Sequence, residues 1–210
     1  MIIPSLMATN QEDLDRIIDK AKGLGTFQLD IGDGNFVPTR ILDFDFRVPK
    51  GPHYEAHLMV EDMEKYIDKI YDIAHTILPH IEAVKDPEDM IKRYRSNGKR
   101  FGFAMKPGTD TNSIAPYLDY IDQVLVLTVE PGFYGAPFVP EALEHVRKFR
   151  RMDPGIDIEV DGGMNPETFS LAFKAGANRF IFGSYLQNSE NLLMTYNEIQ
   201  KQYQELRNSR

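Results

Sequence analysis

Apolar residues alternate with polar ones in short runs along this chain, and between the runs they recur at three- and four-residue spacing. The first rhythm predicts strands and the second amphipathic helices. Residues 1–6, an apolar run holding Pro4, read as the first strand. Asn10 is placed to cap a helix with Asp13 at its third position. Leu14, Ile17, Ile18, Ala21 and Leu24 form its apolar face, and Gly23 and Gly25 close it. A second strand covers residues 27–31 and ends at a turn, Asp33-Gly34. Residues 35–53 are the least regular part, since Pro38, Pro49, Gly51 and Pro52 cut short any element there. Six more strands are predicted over 54–59, 76–80, 101–105, 123–129, 156–160 and 179–182. Helices are predicted over 61–74, 86–97, 111–118, 141–151, 166–175 and 191–206. The last has a stripe of Leu192, Tyr196, Ile199, Tyr203 and Leu206.

Strands that alternate with helices over short links imply a parallel sheet. The continuous β-branched and leucine run of residues 123–129 fits a strand buried on both faces. Eight such units predict an α/β fold of the (β/α)8 TIM-barrel class, one domain over residues 1–210. The rival is an open doubly wound sheet, weakened because no G-x-G-x-x-G follows the first strand. In a barrel, polar residues at the carboxyl ends of strands gather at one mouth. Side chains alternate, so Gln28 and Asp30 share one face and Phe27, Leu29 and Ile31 the other. Two adjacent polar groups facing the inside of an apolar strand are costly to bury without partners. Ser5, His57, Thr128, Asp161 and the loops at 132–135 and 183–184 lie at other strand ends and can supply them.

Composition narrows the function classes. The 210 residues carry a net charge of −8, and their 24 basic residues are dispersed, which argues against a nucleic-acid footprint. No apolar run approaches the ~20 residues that span a bilayer, and the N-terminus lacks the basic start and apolar core of a signal peptide. With no cysteine there is no disulfide, thiolate nucleophile or thiolate metal site, and a cytoplasmic location fits. The final helix docks on the barrel in the plainest reading. Contact between copies through Tyr185, Tyr196 or Tyr203 is open, so a homo-oligomer is a second reading.

Several segments together resemble the ribulose-phosphate 3-epimerase family. They are Pro4-Ser5, Leu29-Asp30, Asp33-Gly-Asn-Phe-Val-Pro38, His57-Leu-Met-Val60, Val129-Glu-Pro-Gly-Phe133, Glu159-Val-Asp-Gly-Gly163 with Asn165-Pro-Glu-Thr168, and Gly183-Ser184. Each is weak alone; in order along most of the chain they are specific. The resemblance implies a TIM barrel that inverts the carbon beside the ketone of a ketose phosphate. It implies a divalent metal (Zn, Fe, Mn or Co) held at positions Gln28, Asp30, His57 and Asp161, with Asp30 and Asp161 also the catalytic acid and base. It further implies substrate contacts at Ser5 and His57, and at Gly132, Phe133, Tyr134 and Gly135. Gly162, Gly163, Gly183 and Ser184 complete the set, where amides near a helix start attract phosphate.

This chain departs from the family pattern in places. Gln28 stands where the family has its first metal histidine. Gly32 and Leu127 replace methionines, Tyr134 replaces a glycine, and the segment after the second strand is short. Three arrangements are open at position 28. The metal binds with Gln28 or water in the fourth place, or His53 or His80 substitutes, or the metal is lost and Gln28 donates to substrate. Imidazole is the better donor for zinc-like ions, so weaker metal binding is expected. Ribulose 5-phosphate is the expected substrate. The alternatives are a six-carbon ketose phosphate, or a sugar-phosphate-binding protein without metal.

Overall fold

Strand pairing decides between the barrel and the open sheet. The computed structural model describes residues 1–95, 97–132 and 135–209. Its strands are β1 (Ile2–Leu6), β2 (Thr26–Asp33), β3 (Arg40–Ile41), β4 (His53–Met59), β5 (Thr76–Pro79), β6 (Arg100–Met105), β7 (Gln123–Leu127), β8 (Asp157–Asp161) and β9 (Arg179–Phe182). Their order is β1-β9-β8-β7-β6-β5-β4-β2-β3, and β1 also pairs with β2. That last pairing closes eight parallel strands into a barrel. β3 stands outside it, antiparallel on the end of β2. The helices are α1 (Gln11–Lys20), α2 (Met63–Ile70), α3 (Pro87–Arg95), α4 (Leu143–Met152), α5 (Pro166–Ala175), α6 (Ser184–Gln187) and α7 (Leu192–Asn208).

Local signals explain most of the boundaries. The Asn10 side chain accepts the Asp13 amide hydrogen at 2.9 Å, which starts α1. α5 has Pro166 in its first turn, a reciprocal cap between Asn165 and Thr168, and Gly176 at φ 114° just past its end. Other boundaries moved. The helix expected over 111–118 is instead two 3-10 turns, Thr111–Ser113 and Ala115–Tyr120. Pro116 lacks the N–H that would bond back to Asn112, so a continuous α-helix cannot pass it. The helix expected over 61–74 shrinks to α2: Asp62 caps its start, and after Ile70 the chain tightens into a turn in which the Ile73 amide donates to the Ile70 carbonyl. β7 stops at Leu127, where the Thr128 amide turns to the Asp161 carbonyl at 2.7 Å. β2 runs on through the expected turn to Asp33, held there by β3.

The period-two rhythm sorts the core into two layers. Ile2, Leu6, Phe27, Leu29 and Ile31 face outward, in the core under the helices. Phe169 of α5 meets Phe180 of β9 there, edge to face at 4.7 Å, and both rings are fully buried. Leu78, Ala104, Leu125 and Leu127 form a separate apolar cluster inside the barrel. Toward the amino ends of the strands lies a charged layer: Arg179 binds Glu159 at 3.2 Å and also pairs with Glu55, all three buried. Among the described residues, no helix is long and apolar enough to cross a membrane.

Candidate functional site

Register brings the candidate residues together at the carboxyl ends of the strands. Asp30 of β2 sits opposite His57 of β4, and Ser5 of β1 opposite Gln28 of β2. Asp161 ends β8 opposite Leu127. Asp30 and His57 are buried, and the Asp161 side chain is 16% exposed. His57 Nδ1 lies 2.9 Å from Asp30 Oδ1 and 3.4 Å from Asp161 Oδ2. The Gln28 amide nitrogen donates to both carboxylates at 2.7 Å, while Ser5 donates its hydroxyl to the second oxygen of Asp30. Gln28 Oε1 is buried and has no hydrogen-bond partner among the described residues. Thr128 fixes the end of β8, its hydroxyl donating to the carbonyls of Asp161 and Gly162 at 3.0 and 2.7 Å.

The charges are uneven. Among the described residues, no lysine or arginine pairs with Asp30 or Asp161; the ion-pair partner of both is His57. Burial pushes the His57 imidazole down, but hydrogen bonds to Asp161 and Asp30 outweigh it and raise it to about 9. Burial, then the charge of Asp30, pushes the Asp161 carboxyl up. His80, fully buried behind His57, is pushed down by burial to about 4. Burial also works against the Glu82 carboxylate, yet the His80 hydrogen bond holds it at about 2.

A cavity of about 710 Å³ opens over this group. Ser5, Asp30, His57, Asp161, Gly132, Gly135, Gly162, Gly163, Gly183 and Ser184 all line it. Phe133 and Tyr134, expected as substrate contacts, lie outside the described residues. Gly162 has φ 112°, and a Cβ there would come within 2.5 Å of Val129 Cγ2, so the turn after β8 needs a glycine. At Gly32 the space for a longer side chain is already taken. A Cβ would lie 2.9 Å from the Thr39 carbonyl and 3.0 Å from Val37 Cγ2. The short segment after β2 thus folds back over the site.

Of the two histidines weighed as substitutes at position 28, neither serves. His53 begins β4, at the opposite end from His57, and stacks on His75. His80 does approach, but its two ring nitrogens face His57 and Glu82 at 3.0 and 2.9 Å. The sequence reading missed Glu82, and it missed Ile41 and Met164, which complete an apolar wall with Met7 and Met59. A signal for Glu82 was available: an acid two residues after a histidine at a strand end.

The comparisons with known proteins agree with this geometry. The model of the Ribulose-phosphate 3 epimerase family matches residues 1–187. The chain belongs to the ribulose-phosphate 3-epimerase family. It is 34% identical over 194 residues to the cytoplasmic isoform of ribulose-phosphate 3-epimerase from Oryza sativa subsp. japonica, covering 87% of this chain and 85% of that protein. Ribulose-phosphate 3-epimerase from Schizosaccharomyces pombe is 33% identical over 200 residues, covering 90% and 88%. Among solved structures, KGPDC from Streptococcus mutans superposes with a TM-score of 0.67 at 13% identity, covering 98% and 97%. That likeness concerns the fold alone.

Members of this epimerase family use a divalent metal, and the residues present here fit one. One ligand atom each from Asp30, His57 and Asp161 lie within 4.8 Å of one another. Two carboxylates and an imidazole suit Zn, Fe, Mn or Co. The Gln28 amide can serve as a fourth donor. Its nitrogen occupies a point 2.7 Å from both carboxylates, and its orphaned oxygen reaches that point by a half-turn of the amide. An oxygen is tolerated there only with a cation between it and the carboxylates.

Proposed function

We propose that the chain, a single barrel domain over residues 1–210, interconverts D-ribulose 5-phosphate and D-xylulose 5-phosphate. The observation that carries this reading is the pair of carboxylates, Asp30 and Asp161, set with His57 at the floor of one cavity in a member of this family. Epimerisation removes the proton from the carbon beside the ketone and returns one to its opposite face. Asp30 and Asp161 take these roles, one as base and the other as acid. Ser5 orients Asp30 by donating to one of its oxygens, and Gln28 spans the pair, its amide nitrogen donating to both carboxylates when no ion lies between them. Negative charge gathers on the substrate oxygens as the enediolate forms. A divalent ion held by Asp30, His57, Asp161 and Gln28 would supply Lewis-acid stabilisation there. The loops at Gly132, Gly135, Gly162, Gly163, Gly183 and Ser184 receive the phosphate.

The relatives carry the pentose name, which favours a five-carbon substrate over a six-carbon one and turnover over mere binding. We place the protein in the cytoplasm by analogy with the relative named as a cytoplasmic isoform. Proton NMR in D2O tests the activity, with ribulose 5-phosphate and added Zn, Mn, Co or Fe. The C3 proton signal should disappear as xylulose 5-phosphate forms. Asp30→Asn and Asp161→Asn should each abolish both changes in a folded protein. Turnover retained by either variant removes the two-carboxylate mechanism, and no exchange by the unaltered protein under any metal removes the assignment.

A further inference from the structure

The Asp30–His57–Asp161 group is backed by a chain of hydrogen bonds, buried at His57 and His80 and reaching the surface at Glu82, that the reaction does not itself require. His57 turns Nδ1 to the carboxylates, and its other ring nitrogen lies 3.0 Å from His80 Nε2. His80 Nδ1 lies 2.9 Å from Glu82 Oε2. Glu82 is fixed in turn, accepting the Lys106 amide at 2.7 Å and the Thr109 hydroxyl. The three members come from separate places: the end of β4, the bridge between His80 and Ala104, and the 3-10 turn Ile81–Ala83. The Phe36 ring covers His80 at 4.7 Å. Two imidazoles buried against each other are costly to desolvate, and an apolar pair would fill the space more cheaply.

Donor and acceptor rules fix the hydrogens. A carboxylate only accepts, so His80 carries its hydrogen on Nδ1. Full burial favours the uncharged ring, which leaves His80 Nε2 as a lone pair. The hydrogen between the two rings therefore belongs to His57 Nε2. A neutral His57 held this way has its free lone pair on Nδ1, aimed at Asp30 and Asp161.

We infer that His80 and Glu82 are positioning residues that lock His57 in the Nε2–H tautomer, making Nδ1 its metal-binding nitrogen. This rests on the metal reading of the Asp30–His57–Asp161 group. The principle is general: a partner on the second ring nitrogen of a ligating histidine sets its tautomer and basicity, and its loss costs about 10–100-fold in metal affinity.

The test uses zinc alone, without sugar phosphate, titrated into metal-stripped protein against a competing chelator. His80→Leu and Glu82→Ala should each weaken zinc binding by about 10–100-fold. His80→Gln, whose amide carbonyl can accept from His57 Nε2–H, should recover most of the loss. Nitrogen NMR of the unaltered zinc form should show His57 with zinc on Nδ1 and hydrogen on Nε2. Zinc on Nε2, or equal affinity in the unaltered protein and folded His80→Leu and Glu82→Ala variants, overturns the inference. Circular dichroism of each metal-free variant checks folding. If His80→Leu fails to fold, Glu82→Ala and the spectrum of the unaltered protein decide. An unaltered protein that takes up no zinc overturns the metal reading itself, and this inference falls with it.

Discussion

Gln28→His puts the unusual donor to a quantitative trial. The Gln28 amide nitrogen touches Asp30 and Asp161 at 2.7 Å each, so a side chain at this position reaches any ion the carboxylates hold. A four-ligand zinc site is worth about 10–16 kcal/mol, or about 3 kcal/mol per ligand. An imidazole in place of an amide oxygen should recover much of one ligand's share, on the order of 100-fold in zinc affinity. Manganese accepts carbonyl oxygen readily, so its affinity should change far less. Chelator competition with zinc and with manganese, each on the unaltered protein and on Gln28→His, measures both constants. A zinc affinity that stays level or falls in a folded variant would refute the placement of position 28 among the ligands. An equal rise for both metals would refute the argument from donor type.

Three further predictions concern charge. The His57 imidazole rises from an ordinary 6.5 to about 9 in the metal-free fold, which corresponds to about 3 kcal/mol. Because the folded value is raised, that stability is fully present below pH 6.5 and is lost as the pH climbs through 9. Urea unfolding of metal-free protein at pH 6 and pH 9.5 should show the loss, and a His57→Gln variant should flatten it; an equal slope in both would sink the assignment. By the same logic, loading zinc at pH 7.5 should release about one proton from His57, readable by calorimetry in buffers of different ionisation enthalpy. Arg179→Met should destabilise the fold by about 3–5 kcal/mol, since it leaves Glu55 and Glu159 buried without their countercharge. A shift under 1 kcal/mol in denaturant unfolding would contradict that.

What was legible in the sequence is what repeats or ends a repeat. Period-two runs placed every barrel strand within a few residues, and polar residues at their ends marked Asp30, His57 and Asp161. Contacts made only in three dimensions were hidden. His80 looked like the last residue of a strand and a stand-in ligand, whereas it is the link from His57 to Glu82. Glu55 and Arg179 drew no reading, and Glu159 entered only as part of the Glu159–Gly163 motif, because nothing local says that the three are buried together. The replacement at Gly32 made sense only once Val37 and Thr39 were seen to occupy its space. The failed helix at 111–118 is a different kind of miss. Pro116 was visible, and its cost inside a helix outweighs the apolar spacing that suggested one.

The barrel interior holds two buried acid pairs, and their different treatment separates structure from chemistry. In the lower layer, Glu55 and Glu159 are bridged by Arg179, a permanent cation, and burial together with the charge of Glu55 pushes Glu159 well above its ordinary range. None of these three residues lines the cavity. In the upper layer, Asp30 and Asp161 are bridged by a neutral amide and by an imidazole, which unlike a guanidinium can give up its charge. Positive charge between these carboxylates is therefore exchangeable: a proton on His57, or a divalent ion in its place. The proposed reaction, with its metal and its proton passed from one face of a carbon to the other, calls for carboxylates that are paired but not permanently neutralised, and the upper layer matches that demand.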